Sequence, residues 1–172
     1  MTFDVVVAAD LEWGIGKQGG LPWPRLKGDL AHFKRVTSDA PDGRRNAIVM
    51  GRKTWESKEV GGKPLAKRLN VVVSRSELTV PEGVVLAGSF DDALAVQGVE
   101  TIFVVGGAGL FQVALDHAAL RWVYLTRVEG RFECDVRMPD LDARGFIRDV
   151  WAGEHDGEDN GVRYHIERLH RR

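Results

Sequence analysis

The strongest constraint on this 172-residue chain is an alternation of short apolar runs with segments of helical character. Residues 3–9, 46–50, 70–74, 84–87 and 101–105 are mostly β-branched or otherwise apolar, as buried strands are. Residues 27–36, 52–57, 90–96 and 108–115 read as helices between them. Ser89, followed three residues later by Asp92, resembles a capping pair with Asp in place of the usual Glu or Gln. Strands separated by helices predict an α/β fold: a mainly parallel central sheet with helices on both faces. The last third breaks the pattern. Residues 122–128 read as a long strand, and Val162, Tyr164 and Ile166 alternate with Arg163, His165 and Glu167. That alternation predicts a half-exposed strand in an antiparallel C-terminal pair. Residues 153–161, acidic and rich in turn formers, read as the connection before it.

The length suits one domain over residues 1–172, with a real core and neither repeat nor low-complexity linker. Charge is nearly balanced at −1, which argues against a dedicated nucleic-acid or membrane-surface protein. The basic ending from Arg168 to Arg172 therefore reads as a solvated strand end. Cys134 is the sole cysteine, so no internal disulfide can form. No signal-type start and no bilayer-length apolar run is visible, so a cytoplasmic location is expected, as a monomer.

Residues 14–33, GIGKQGGLPWPRLKGDLAHF, carry the most chemistry. A glycine-rich loop leads through Leu21-Pro22-Trp23-Pro24 into a helix bearing Asp29 and Phe33, four apart and hence on one face. A carboxylate beside an aromatic on an inward face is costly unless a ligand supplies donors to one and a flat surface to the other. The plain alternative is an exposed acid near a helix start. Gly14-Ile15-Gly16-Lys17-Gln18-Gly19 matches GxGxxG, but the dinucleotide fingerprint needs a helix to begin within the loop. Pro22 and Pro24 follow instead. The loop reads as a mobile lid over a site, not a phosphate cradle.

Three other strand ends suit phosphate better, since ligands of open α/β sheets bind beyond the carboxyl ends of strands. Met50-Gly51-Arg52-Lys53-Thr54 joins a strand to a helix N-terminus, with two cations and a hydroxyl. Ser74-Arg75-Ser76 repeats the hydroxyl-and-cation theme, and Gly106-Gly107-Ala108-Gly109 lets phosphate approach bare backbone. Each alone is compatible with an ordinary turn; three in one sheet favour an extended, multiply phosphorylated ligand.

The same residues resemble dihydrofolate reductases. The resemblance runs through Gly14-Ile15-Gly16, Leu21-Pro22-Trp23, Asp29, Phe33 and Thr37. It continues in Val49-Met50-Gly51-Arg52-Lys53-Thr54-Trp55-Glu56-Ser57, Pro64-Leu65, Arg68 and Val71-Val72-Val73-Ser74-Arg75. Val104-Val105-Gly106-Gly107, Leu125-Thr126, Phe132, Asp135 and Pro139 complete it, in order and spacing.

It implies reduction of 7,8-dihydrofolate to tetrahydrofolate by hydride from NADPH, with no metal. It implies catalytic roles for Asp29, which would bind the pterin ring nitrogen and 2-amino group as a charge-assisted pair. Thr126 would bridge Asp29 and that amino group, and Trp23 would hold an ordered water. Val7, Ala8, Leu30, Phe33 and Leu65 would line the substrate pocket, and Arg68 would grip the glutamate carboxylate as a fork. Cofactor contacts would come from Ala9, Ile15, Gly16, Leu21, Gly51, Arg52, Lys53, Thr54, Ser74, Arg75 and Ser76. Val105, Gly106, Gly107, Ala108, Gly109, Leu110 and Phe111 would add to these, with a cis Gly106–Gly107 peptide.

Phe111 stands where relatives usually carry tyrosine, Lys58 where an apolar residue is common, and Lys63 where Arg is frequent. Two other functions compete: the NADPH-dependent pyrimidine reductase of riboflavin synthesis, and a silent binder of folate or NADPH. The first would share the cofactor turns but lack Leu21-Pro22-Trp23 with Asp29; the second would show no turnover.

Overall fold

The computed structural model describes all of residues 1–172. In chain order the elements are β1 (Phe3–Ala9), β2 (Gly14–Gly16), α1 (Lys27–Ser38), β3 (Ala47–Gly51), α2 (Arg52–Trp55), β4 (Leu69–Val73), β5 (Val85–Ala87) and α3 (Phe90–Leu94). They continue as β6 (Ile102–Gly106), α4 (Ala108–Asp116), β7 (Leu120–Val128), β8 (Val136–Arg137), β9 (Phe146–Arg148), β10 (His155–Asp159) and β11 (Val162–Arg171). One sheet runs β10-β11-β7-β1-β6-β3-β4-β5, with β9 also on β11. The segment from β7 to β5 is parallel throughout, and β11 runs antiparallel to β7, β9 and β10. This is the α/β architecture expected, antiparallel C-terminal strands included. No helix is long and apolar enough to cross a membrane.

Alternation along β1 divides the core. Phe3, Val5, Val7 and Ala9 enter a large cluster with Val104, Leu125 and Leu169, while Val6 joins Ile48, Met50, Trp55, Val72 and Phe103 on the other side. Asp4 also lies in β1, fully buried. Arg121 satisfies it through two bonds of 3.0 and 2.8 Å, where the β1–β7 register shifts. Asn46 ties α1 to the sheet. Its amide donates to the carbonyls of Thr37 and Asp39 at the helix end and accepts from Thr101 N–H. Ser89 caps α3 by accepting from Asp92 N–H at 3.1 Å, as its sequence spacing predicts.

Two expectations need correction. Residues 14–16, read as loop, form β2 and pair with β8, where Asp135 N–H donates to the Gly16 carbonyl and Met138 N–H to that of Trp13. Residues 153–161, read as a turn-rich connection, contain β10, which pairs with β11 along its whole length. Polar residues suit β10 because it is the sheet's outer strand. The β10–β11 hairpin also completes α1. Leu26, at the helix N-cap, offers no side-chain bond, and Asp159 accepts from Gly28 N–H at 3.0 Å instead. Tyr164 of β11 presses on the same turn: a Cβ at Gly28 would lie 2.0 Å from its hydroxyl, so only glycine fits.

His32 faces inward from α1, 2% exposed, with Nε2 unpartnered, beside the rings of Trp151 and His155. Burial, reinforced by the charges of Arg35 and His155, lowers its pKa from 6.5 to about 4. The unfolded chain therefore takes up this proton first, and stability falls as pH drops from 6.5 toward about 4. His32→Phe should remove that loss. Thermal melts at neutral and mildly acidic pH should show a smaller drop in Tm for the variant, by about 2–4 °C for each kcal/mol recovered. Equal drops would mean that His32 does not titrate as argued.

Candidate active site

Helix α1 carries Asp29 in its first turn, and β7 carries Thr126, buried between Ala8 of β1 and Ile166 of β11. The two meet: Thr126 Oγ1 donates to Asp29 Oδ1 at 2.6 Å. Burial raises the Asp29 pKa, against the Thr126 bond and the charge of His155, which lower it. Thr126 occupies only one carboxylate oxygen, so this desolvated acid keeps acceptor capacity for a ligand.

Apolar walls flank it. Ala8 points toward α1, beside the cluster that holds Trp23, Leu26, Val128, Tyr164 and Ile166. Trp23 is 6% exposed, its ring edge-on to Phe132 at 5.8 Å. One helical turn beyond Asp29, Phe33 packs with Val36 and Leu65 against Val6, Ile48 and Met50. Leu30 lies half-buried on α1 between them in sequence. Val7 and Ala9 send their side chains into the main cluster on the far side of the sheet, leaving only their backbone toward this pocket.

Arg68, immediately before β4, is 8% exposed. Its Nε donates to Ala66 C=O and its Nη1 to Thr37 Oγ1, both at 2.9 Å, and it forms no ion pair within the chain. Burial lowers its pKa, yet a guanidinium remains charged. Asn70 fixes the neighbouring turn by exchanging two bonds of 2.9 Å with the Leu65 backbone.

The three cationic or glycine-rich turns converge because β4, β3 and β6 are adjacent and parallel, with their carboxyl ends on one edge. Register shifts between Val49 and Met50 bring Met50 opposite Gly106. The Gly106–Gly107 peptide is cis, and Thr54 Oγ1 would stand 3.1 Å from a Cβ at Gly106. Val105 and Leu110 flank this turn half-buried, Ala108 and Gly109 open α4, and Phe111 is buried with its ring near Gly106. Lys53 and Arg75 are exposed and form no ion pair, whereas Arg52 pairs with Glu56 at 3.1 Å. Ser74 Oγ is bonded to Ser76, which shapes that turn. A cleft of about 440 Å³ lined by Glu77, Leu78, Thr79 and Leu86 follows directly.

The glycine-rich segment is pinned by three acids. Asp10 accepts from Gly14, Glu12 and Phe132 N–H and from the Cys134 thiol. Burial works to raise its pKa, but these bonds outweigh that and lower it; the Cys134 thiol is pushed up to about 11 and stays protonated. Asp135 accepts from Gln18 N–H at 3.0 Å, and Glu59 from Leu21 N–H at 2.6 Å. Ile15 and Gly16 lie in β2, half-buried. Asp10, Glu59, Asn70, Asp159 and Tyr164 support the site as well and are not among the site residues expected from the sequence. An Asp followed within four residues by glycine is a turn signal that points to Asp10. Nothing local marks Glu59, Asp159 or Tyr164, whose partners lie far along the chain.

Comparison with known proteins agrees with this geometry. The family model described as "Dihydrofolate reductase" matches residues 2–171. A "Bifunctional dihydrofolate reductase-thymidylate synthase" of Glycine max is 41% identical over 95% of the chain, and "Dihydrofolate reductase" of Gallus gallus is 34% identical over 94%. The chain spans 32% of the soybean protein and 92% of the chicken one. The solved structure of "Schistosoma mansoni Dihydrofolate reductase" superposes with a TM-score of 0.85 at 34% identity, covering 98% of this chain and 97% of that one. On fold, site geometry and likeness together, the chain belongs to the dihydrofolate reductase family.

Proposed function

We propose that this chain reduces 7,8-dihydrofolate to tetrahydrofolate with NADPH. The observation that carries this reading is the desolvated Asp29 carboxylate, bridged to Thr126 and bordered by Phe33 and Leu65. Such a group binds an amino-substituted, protonatable ring and favours positive charge upon it. NADPH, when bound, supplies the hydride, and the protein's task is orientation and electrostatics. Asp29 and Thr126 hold the ring. Ala8, Leu30, Phe33 and Leu65 pack on it, with the Val7 backbone beneath. Trp23 holds an ordered water, and water entering beneath the residues 14–23 segment protonates the ring nitrogen next to the reduced carbon.

Gly51 to Thr54, Ser74 to Ser76 and Val105 to Phe111 take the cofactor, with Ala9, Ile15, Gly16 and Leu21 on its other side. The support is electrostatic and steric. Two exposed cations lack internal partners, and the cis Gly106–Gly107 turn presents backbone without side chains. Phe111 offers no hydroxyl to this end of the site. The reading extends to a cytoplasmic monomer with one catalytic domain over residues 1–172.

Three outcomes follow. NADPH should be strongly preferred over NADH, because Arg75, Arg52 and Ser74 meet a 2′-phosphate that NADH lacks. The double substitution of Arg75 and Arg52 by Ala should narrow the preference mainly through NADPH binding; equal kcat/KM for both cofactors in the unmodified protein would sink the assignment. Arg68→Ala should weaken dihydrofolate by about 1.5–3 kcal/mol, the value of a lost charge-assisted contact. A pterin without the glutamate tail should be far less affected, and equal losses would make Arg68 structural.

Asp29→Asn should cut turnover at neutral pH by about 10²-fold or more while NADPH affinity stays near normal. Residual activity should rise toward low pH, where substrate can arrive protonated. The ligand-free variant should melt no lower than the parent. Because burial raises the Asp29 pKa, its ionised form costs stability above that pKa, and the cost fades as pH falls through it. A near-normal rate at neutral pH would remove Asp29 from the chemistry.

A further inference from the structure

The face of β11 turned away from the Asp29 pocket carries a second cluster of ionisable groups. His165 and Glu167 are two apart, on the side opposite Tyr164 and Ile166. Glu154 reaches them from the turn before β10. Each side chain has one atom committed and one available. Arg127 holds Glu167 Oε1 and Arg148 holds Glu154 Oε1, the latter at 3.2 Å. Both Oε2 atoms therefore turn toward His165 Nε2, at 3.4 Å from Glu154 and 3.8 Å from Glu167. On the ring's other side, His165 Nδ1 is bonded to Asp156 at 2.6 Å.

We propose that Glu154, His165 and Glu167 form a binding site for a divalent transition-metal ion, Zn²⁺ being the best match. Their three ligand atoms lie within 4.8 Å of one another. Tetrahedral ligands about 2.0–2.1 Å from zinc stand about 3.4 Å apart, so closure needs only small side-chain shifts. The Asp156 bond does what a carboxylate behind a metal-ligating histidine does: it fixes the tautomer and turns the Nε2 lone pair inward. Glu167 supplies the strongest demand. Its side chain is 7% exposed, and Arg127 engages its Oε1, so Oε2 is the oxygen it offers to a metal.

Charge points the same way. Glu154, Asp156, Glu167 and Asp142 face only Arg127 and Arg148, leaving an excess of two carboxylates over guanidinium groups around His165. A dication cancels them. The mixed nitrogen and oxygen donors favour zinc over Mg²⁺ or Ca²⁺, which prefer oxygen alone. The competing reading is that the three carboxylates are simple polar partners of the His165 ring.

The test is a calorimetric titration of the metal-stripped chain with ZnCl₂ at neutral pH, paired with thermal melts. One equivalent of Zn²⁺ should bind and raise Tm, with Mg²⁺ having no such effect. Affinity should fall by about tenfold or more in both His165→Ala and Glu154→Gln. Reductase turnover should be unchanged in both, since neither residue touches the Asp29 pocket. Glu154→Gln guards against misfolding, being near-isosteric at a half-buried position. Absence of saturable zinc binding would overturn the proposal. So would zinc binding that survives both substitutions, or Mg²⁺ binding equally well. Zinc binding is read independently of turnover, so its failure leaves the reductase assignment untouched.

Discussion

The bond from Thr126 to Asp29 is the contact on which the arrangement depends, because it sets a helix-borne carboxylate against the middle of a sheet. Neither element accomplishes this alone. Helix α1 starts without a side-chain cap of its own, and its first turn is finished by Asp159 from β10 and bounded by the Tyr164 hydroxyl. β7 is fixed between β1 and β11. The position of Asp29 is therefore determined by the late antiparallel hairpin as much as by the residues around it. An acid left free to turn toward water would regain its hydration and lose its hold on a ligand's charge.

Sheet order explains why the other half of the site gathers where it does. Placing β6 between β1 and β3 sets the glycine turn after β6 beside the cationic turn after β3, and β4 brings Ser74 and Arg75 next in line. Three turns scattered over some sixty residues become neighbours along one edge. Their side chains differ in the expected way. Cations sit where solvent reaches them, and Gly106 and Gly107 sit where a Cβ would come within 3.1 and 3.3 Å of Thr54 Oγ1. Buried Arg68 is the exception that shows the rule. A cation enclosed by the fold without an acid nearby is stable only if its remaining donors meet water or a ligand's carboxylate.

Much of this was legible from sequence, for identifiable reasons. The buried parallel strands announce themselves through continuous β-branched runs, and the Asp29–Phe33 pair through its helical spacing. The phosphate-type turns lie at strand ends, where local composition and topology agree. What escaped was long-range. β10 reads as loop because an edge strand carries polar residues and its pairing with β11 leaves no local mark. Gly28 looks like a poor helix residue until Tyr164, more than a hundred positions later, is seen to need the space. Arg68 reads as a ligand contact with no sign in the sequence of its burial, and its bond to Thr37 of α1 joins residues 31 positions apart.

The glycine-rich segment combines both kinds of information, and its restraints are graded. At its base, Gly14 N–H is bonded to Asp10 in a buried setting, and Asp10 collects four donors in all. Toward its tip the restraints are the exposed bonds of Gln18 to Asp135 and Leu21 to Glu59, a Lys17–Gly20 backbone bridge and a bond from Lys58 N–H to the Gly19 carbonyl. Releasing a buried donor leaves it unsatisfied, whereas water replaces an exposed partner at little cost. The glycines at 19 and 20 lie between those exposed bonds, and Gly19 already has a φ of +77°. The bonds that water can replace are thus at the tip, while the base near Gly14 is held by a buried one. A segment built this way can admit water and ligand beside Trp23 without disturbing the strands that hold Asp29.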